Sequence, residues 1–90
     1  MDETRLKRLR FRAWRRGFRE ADLIFGPFAD AHGRELSEPQ AGAFEALLDQ
    51  PDHDAYAWVV GPGPAPDPFE TELIGLIRAF RACGGALASS

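Results

Sequence analysis

SEPQAGAFEALLDQP, residues 37–51, holds a helix with both of its ends. Ser37 and Gln40 stand at capping-box spacing: the hydroxyl reaches forward to an orphan amide and the glutamine side chain reaches back. Pro39 falls in the first turn, where no intrahelical donor is required. Ala41, Phe44, Leu47 and Leu48 share one face, and Pro51 stops the helix. An amphipathic segment of this kind must bury its stripe against others, so its neighbours decide the architecture.

Upstream, Phe18, Ala21, Phe25 and Phe28 recur at i, i+3, i+7 and i+10. The stripe stays in phase across Gly26-Pro27, which predicts a helix from Gly17 that is kinked there rather than broken. Asp30–Leu36 is polar, contains Gly33 and reads as a loop. Before Gly17, the helix expected over Thr4–Arg15 has Leu6, Leu9 and Ala13 on one face, with Trp14 beside them and arginines over the remainder. Downstream, Asp52 can cap a short helix carrying Tyr56, Val59 and Val60, with Trp58 off the stripe. Residues 61–66, GPGPAP, form a loop. Asp67 can cap the last helix, with Pro68 at its first position and Glu70 at box-like spacing. Phe69, Leu73, Leu76, Ile77 and Phe80 give that helix its stripe, and Arg78 and Arg81 suit its negative end. Gly84-Gly85 ends it.

No segment alternates with the period of a half-buried strand. The expectation is an all-α fold, a compact single-domain bundle of five short helices over residues 1–85, with a flexible tail at 86–90. Phe25, Phe28, Phe44, Leu47, Leu48, Leu73, Ile77 and Phe80 should be buried together.

Ninety residues make one domain, and seven Phe, two Trp and one Tyr supply its core. Little room remains for the deep cleft of an enzyme. His32 and His53 lack neighbours at zinc spacing and read as surface histidines, so no metal site is expected. The GPGP run is too rich in proline to offer amides to a phosphate. These features argue against catalysis. Cys83 is alone, which excludes an internal disulfide, suits a reducing cytoplasm, and suggests a cysteine buried on a helix face. No apolar run approaches the ~20 residues of a membrane span, and no signal-peptide pattern is present. A cytoplasmic protein, monomeric when free and without a membrane partner, is expected.

The net charge of −3 hides a split. Residues 1–20 hold eight cations and three carboxylates, a net +5; residues 21–90 hold three and eleven, a net −8. The basic end suits an acidic partner or a solvated helix face. Arginine interleaved with Phe11 and Trp14 also fits a nucleic acid, but the acidic remainder would repel a phosphate backbone. The junction Arg15-Arg16-Gly17-Phe18-Arg19-Glu20 admits two readings. Gly17 can be an N-cap with Glu20 three residues on. Alternatively a partner's backbone approaches the bare glycine, Arg16 and Arg19 pair with its carboxylates or carbonyls, and Glu20 orients one arginine. A plain cap predicts that Gly17→Arg destabilises the fold while Arg16→Ala does not. A docking site predicts that both variants fold and bind weakly.

Arg16-Gly17-Phe18-Arg19-Glu20 resembles the RGxxE motif of the succinate dehydrogenase assembly factors that promote covalent FAD attachment to the flavoprotein subunit. The likeness extends to Asp22, Pro27-Phe28, Leu36-Ser37, Phe44, Leu47-Leu48, Trp58 and Leu76-Ile77, in order from about Arg5 to Arg81. The resemblance implies a five-helix assembly factor that binds the flavoprotein subunit of succinate dehydrogenase, or of fumarate reductase, and helps it attach FAD to its own histidine. It implies no tightly bound cofactor in this chain. The docking set is then Arg8, Arg15, Arg16, Gly17, Arg19, Glu20 and Asp22. A binding module for another acidic protein, and a small nucleic-acid binder, are the alternatives.

Overall fold

The computed structural model describes residues 2–67 and 69–83. Among them the order is α1 (Glu3–Ala13), α2 (Arg19–His32), a 3₁₀ turn (Gly33–Glu35), α3 (Glu38–Leu48), α4 (Asp52–Val60) and α5 (Glu72–Ala82). The chain is all-α, and no strand occurs among the described residues. The flexible tail expected at 86–90 and Pro68 lie outside them.

α3 forms as its sequence dictates. The Ser37 hydroxyl accepts from the Gln40 amide at 3.3 Å, and the Gln40 side chain accepts from the Ser37 amide at 2.9 Å. α1 is capped by Asp2, whose carboxylate accepts from the Arg5 amide at 2.7 Å. α2 runs through Pro27 and continues to His32, so most of the segment expected as a loop is helix and 3₁₀ turn. Gly33 is the reason: it is buried, and a Cβ there would press on Leu6. The polar residues around it are the outer face of a helix end. Gly26 is likewise required by packing, since a Cβ there would overlap the Trp14 indole.

Two expected caps are corrected. Pro51 precedes α4 as its cap residue, and Asp52 lies inside the first turn. α5 starts at Glu72, with the Thr71 hydroxyl accepting from the Ile74 amide at 3.4 Å, not at Asp67. Glu70 cannot complete a box there because its carboxylate accepts from the Ala65 amide at 2.7 Å and from Arg78 at 2.9 Å. Arg78 also donates to the Trp58 carbonyl at 2.8 Å. That carbonyl's intrahelical donor would belong to residue 62, a proline, so the arginine satisfies what the loop leaves open.

The core joins Leu9, Ala13, Phe25, Phe28, Phe44, Leu47, Leu48, Leu73, Ile74 and Ile77. Phe80 is only partly buried and packs against it, Leu76 is 39% exposed, and Cys83 is exposed. Phe80 and Cys83 lie toward the C-terminal end of α5, whereas Leu76 lies near its middle. Cys83 is the cap residue beyond the last packed turn, which corrects its expected burial. His53 is exposed and His32 half-buried against Phe28 and Phe80. Among the described residues no group of three metal-ligating side chains occurs, and no helix is long and apolar enough to cross a membrane.

Arg5 fastens α1 to α3. Its Nε and Nη2 donate to the two Glu45 oxygens at 2.9 and 2.8 Å, and Nη1 donates to Glu38 at 2.8 Å. Hydrogen bonding to Arg5 holds the Glu45 carboxyl below the usual carboxylate range, against a smaller opposing effect of burial. A carboxyl whose folded pKa is depressed favours folding above its unfolded value of about 4.3, and that contribution is lost as pH falls through the folded value. Glu45→Gln should therefore melt below the parent at pH 7. The two melting curves should converge as pH falls below about 4. A gap independent of pH would remove the charge from the explanation.

Candidate docking site

The residues between α1 and α2 are shaped by one buried arginine. α1 ends with the Trp14 amide on Arg10 O at 3.1 Å and the Arg15 amide on Arg12 O at 3.2 Å. The next side chain, Arg16, turns inward and is 5% exposed. Its guanidinium donates to the carbonyls of Leu48 at 2.7 Å and Gln50 at 3.0 Å, and pairs with Asp52 at 2.8 Å. The two carbonyls stand at and just beyond the C-terminus of α3, where orphan acceptors and the negative helix end favour a cation. Burial lowers the guanidinium's pKa from the ordinary arginine value, with Asp52 opposing. The group stays charged, as arginine does. Its backbone amide is also held, by the Asp22 carboxylate at 2.6 Å.

Gly17 then takes φ +101°, a region that side chains rarely enter. A Cβ at this position would overlap the Asp52 carboxylate that Arg16 holds. Gly17 is thus not the helix cap. Phe18 is, in an extended conformation without a side-chain cap bond. Its ring stacks on His53 at 4.6 Å and meets Tyr56 edge-on at 5.2 Å, both on α4. Glu20 and Asp22 lie in the first turn of α2, where the helix end is positive.

The expected docking set therefore divides. Arg16 and Asp22 are engaged within the chain, and Gly17 has a conformational and steric reason of its own. With Arg16 and Gly17 both engaged within the fold, the expectation becomes that Gly17→Arg and Arg16→Ala each destabilise it. Arg8, Arg15, Gly17, Arg19 and Glu20 are exposed. Glu20 was expected to orient an arginine, but it forms no ion pair among the described residues, and neither do Lys7, Arg8, Arg15 and Arg19. Trp14, Arg15, Gly17, Phe18, Arg19 and Asp22 surround an open concavity of about 710 Å³.

Two residues were named from the sequence in other roles, Asp52 as a helix cap and Phe11 as an aromatic interleaved with arginine. Asp52, the acidic partner of Arg16, carries no local signal, since any surface aspartate after a proline reads as a cap. Phe11 is 60% exposed, with the Arg15 guanidinium 4.5 Å from its ring centroid. Its place off the Leu6, Leu9 and Ala13 stripe could have marked it.

Fold and site define a small helical protein with a basic, open surface at a helix junction. The chain belongs to the family described as the flavinator of succinate dehydrogenase, whose model matches residues 7–81. It is 36% identical over 72 residues to succinate dehydrogenase assembly factor 2, mitochondrial, of Dictyostelium discoideum, covering 80% of this chain and 51% of that one. It is 33% identical over 78 residues to assembly factor 2-A, mitochondrial, of Drosophila sechellia, covering 84% and 48%. The Meyerozyma guilliermondii factor is 41% identical over 56 residues, covering 62% and 42%. The chain thus spans about half the length of these relatives. No solved structure matches. By these names the family is one of assembly factors, not enzymes. The relatives are named mitochondrial, which corrects the cytoplasmic setting expected above. That expectation rested largely on a lone cysteine, and a lone cysteine marks a reducing environment without distinguishing one such compartment from another.

Proposed function

We propose that this protein assists the assembly of succinate dehydrogenase by docking on the flavoprotein subunit and promoting its covalent FAD attachment. The observation that carries this reading is the exposed rim of the 15–20 junction. Arg15, Arg19 and Glu20 are free of ion pairs among the described residues, and Arg15 and Arg19 line an open concavity together with the bare Gly17. The family's description and the relatives' names support the partner. Free arginines on a preformed loop suit charge-assisted hydrogen bonds to carboxylates or carbonyls.

The work done in this reading is conformational. A protein that binds one state of the flavoprotein raises that state's population by its preference for it. If that state holds the flavin against the acceptor histidine of the subunit, attachment accelerates through positioning. The flavin stays with the partner, and this chain contributes neither a catalytic group nor a tight cofactor site.

Arg19→Ala and Glu20→Ala are the discriminating variants, because both side chains are exposed and form no ion pair among the described residues. Each should keep the parental melting temperature and cost roughly 1–3 kcal/mol of affinity for the purified subunit. Cells carrying either should show weaker in-gel flavin fluorescence of the subunit at normal levels of this protein. Parental binding and parental flavin fluorescence in both variants would dispose of the reading. The fumarate reductase flavoprotein serves as a second bait.

A further inference from the structure

Phe11 and Leu76 are the exposed large hydrophobic side chains among the described residues. Leu76 borders an apolar hollow of about 390 Å³ formed with Phe28, Leu36 and Phe80, and nothing there shows what would cover it. Phe11 has a different setting. It projects from α1 at 60% exposure, with Arg8 one turn before it and Arg15 one turn after it. Arg15 lies over its ring, and Lys7, Arg8, Arg15 and Arg19 all lack ion pairs among the described residues. The other arginines of α1 are used up: Arg5 on Glu38 and Glu45, Arg10 beside Asp30, Arg12 on Asp49. One face of α1 is thus tied to the bundle, and the opposite face presents an aromatic ring among free cations. Arg15 belongs to both this face and the junction concavity, so the two surfaces are continuous.

We infer that Phe11 is the apolar anchor of the docking surface, inserted into a socket on an acidic protein surface whose carboxylates meet Arg8, Arg15 and Arg19. A large aromatic at the centre of a contact, ringed by groups that exclude water, is the arrangement in which a few residues carry most of the affinity. A protein carboxylate patch fits better than a nucleic acid because it can be confined to the narrow α1 stripe, whereas an extended polyphosphate would run on along residues 21–90, which carry a net −8. The inference rests on the docking reading above and extends its footprint from the junction along α1.

The test uses the full chain and the purified succinate dehydrogenase flavoprotein subunit, with affinity measured at low and moderate salt. Phe11→Ala should weaken binding about tenfold or more, with circular dichroism and melting unchanged. Arg8→Glu and Arg15→Glu should each weaken it by about tenfold at low salt, and by less at moderate salt. Leu76→Ala should leave it within about twofold of the parent. If the parent binds and Phe11→Ala binds equally well, the anchor is refuted while the docking reading stands. Loss on Leu76→Ala alone would move the contact to the other face and overturn the inference. If the parent does not bind, the docking reading fails and the inference with it. Tighter binding of a single-stranded oligonucleotide than of the subunit, abolished by Phe11→Ala, would overturn the acidic-protein assignment.

Discussion

Gly17→Arg should melt roughly 10–20 °C below the parent, as should Arg16→Ala, on a scale of about 4–8 °C per kcal/mol for a domain of this size. At Gly17 the backbone sits at φ +101°, which costs a non-glycine residue about 1–3 kcal/mol. The new Cβ must also displace the Asp52 carboxylate, and that carboxylate is held by Arg16. At Arg16 the loss is of charge-assisted bonds to Leu48 O and Gln50 O, leaving the buried end of α3 without a donor. Such a loss costs about 2–4 kcal/mol once the relieved burial of the guanidinium is set against it. Arg16→Lys should recover only part, because an ammonium lacks the planar fork that reaches two carbonyls and a carboxylate together. Circular dichroism melts decide the matter: parental melting in both variants would mean that the arginine and the glycine are not structural. Weak partner binding by either variant is then read only at temperatures where it is folded.

Phe44→Ala should lower the free energy of unfolding by about 3–5 kcal/mol. Phe44 is fully buried, at 5.6 Å from Phe28 and 6.4 Å from Phe25 between ring centroids. It stands where α2 and α3 meet, and its removal leaves a cavity that two aromatic neighbours cannot close by rotation alone. Small domains hold about 5–15 kcal/mol in all, so the variant should be near its unfolding threshold at room temperature. A urea titration showing a loss below about 1 kcal/mol would place Phe44 outside the core.

Helices were legible wherever their signals were local. Ser37 and Gln40 are three residues apart, and their mutual bonds form as the spacing requires. The stripes of α2, α3 and α5 put Phe25, Phe44 and Ile77 into one core because burial follows periodicity. Ends were less legible where two residues competed for one role. Asp67 and Thr71 are both good caps, and the claim of Ala65 and Arg78 on Glu70 decides between them. The site was legible as a place but not as a division of labour. Arg15, Arg16 and Arg19 look alike in sequence, yet Arg16 alone reaches carbonyls 32 and 34 residues away. No local pattern reports a partner at that distance, and only the packing of α3 and α4 creates it.

The Arg16 bridge makes the proposed recognition surface a conformational epitope rather than a linear one. A peptide carrying α1 and the RGFRE junction alone has no α3 terminus to close on, so its arginines have no fixed loop to stand on. During synthesis the loop acquires its shape only after residue 52 has cleared the ribosome. Fraying of the last turn of α3 would likewise release Arg16 and dismantle the proposed surface from behind, without altering any of its exposed residues.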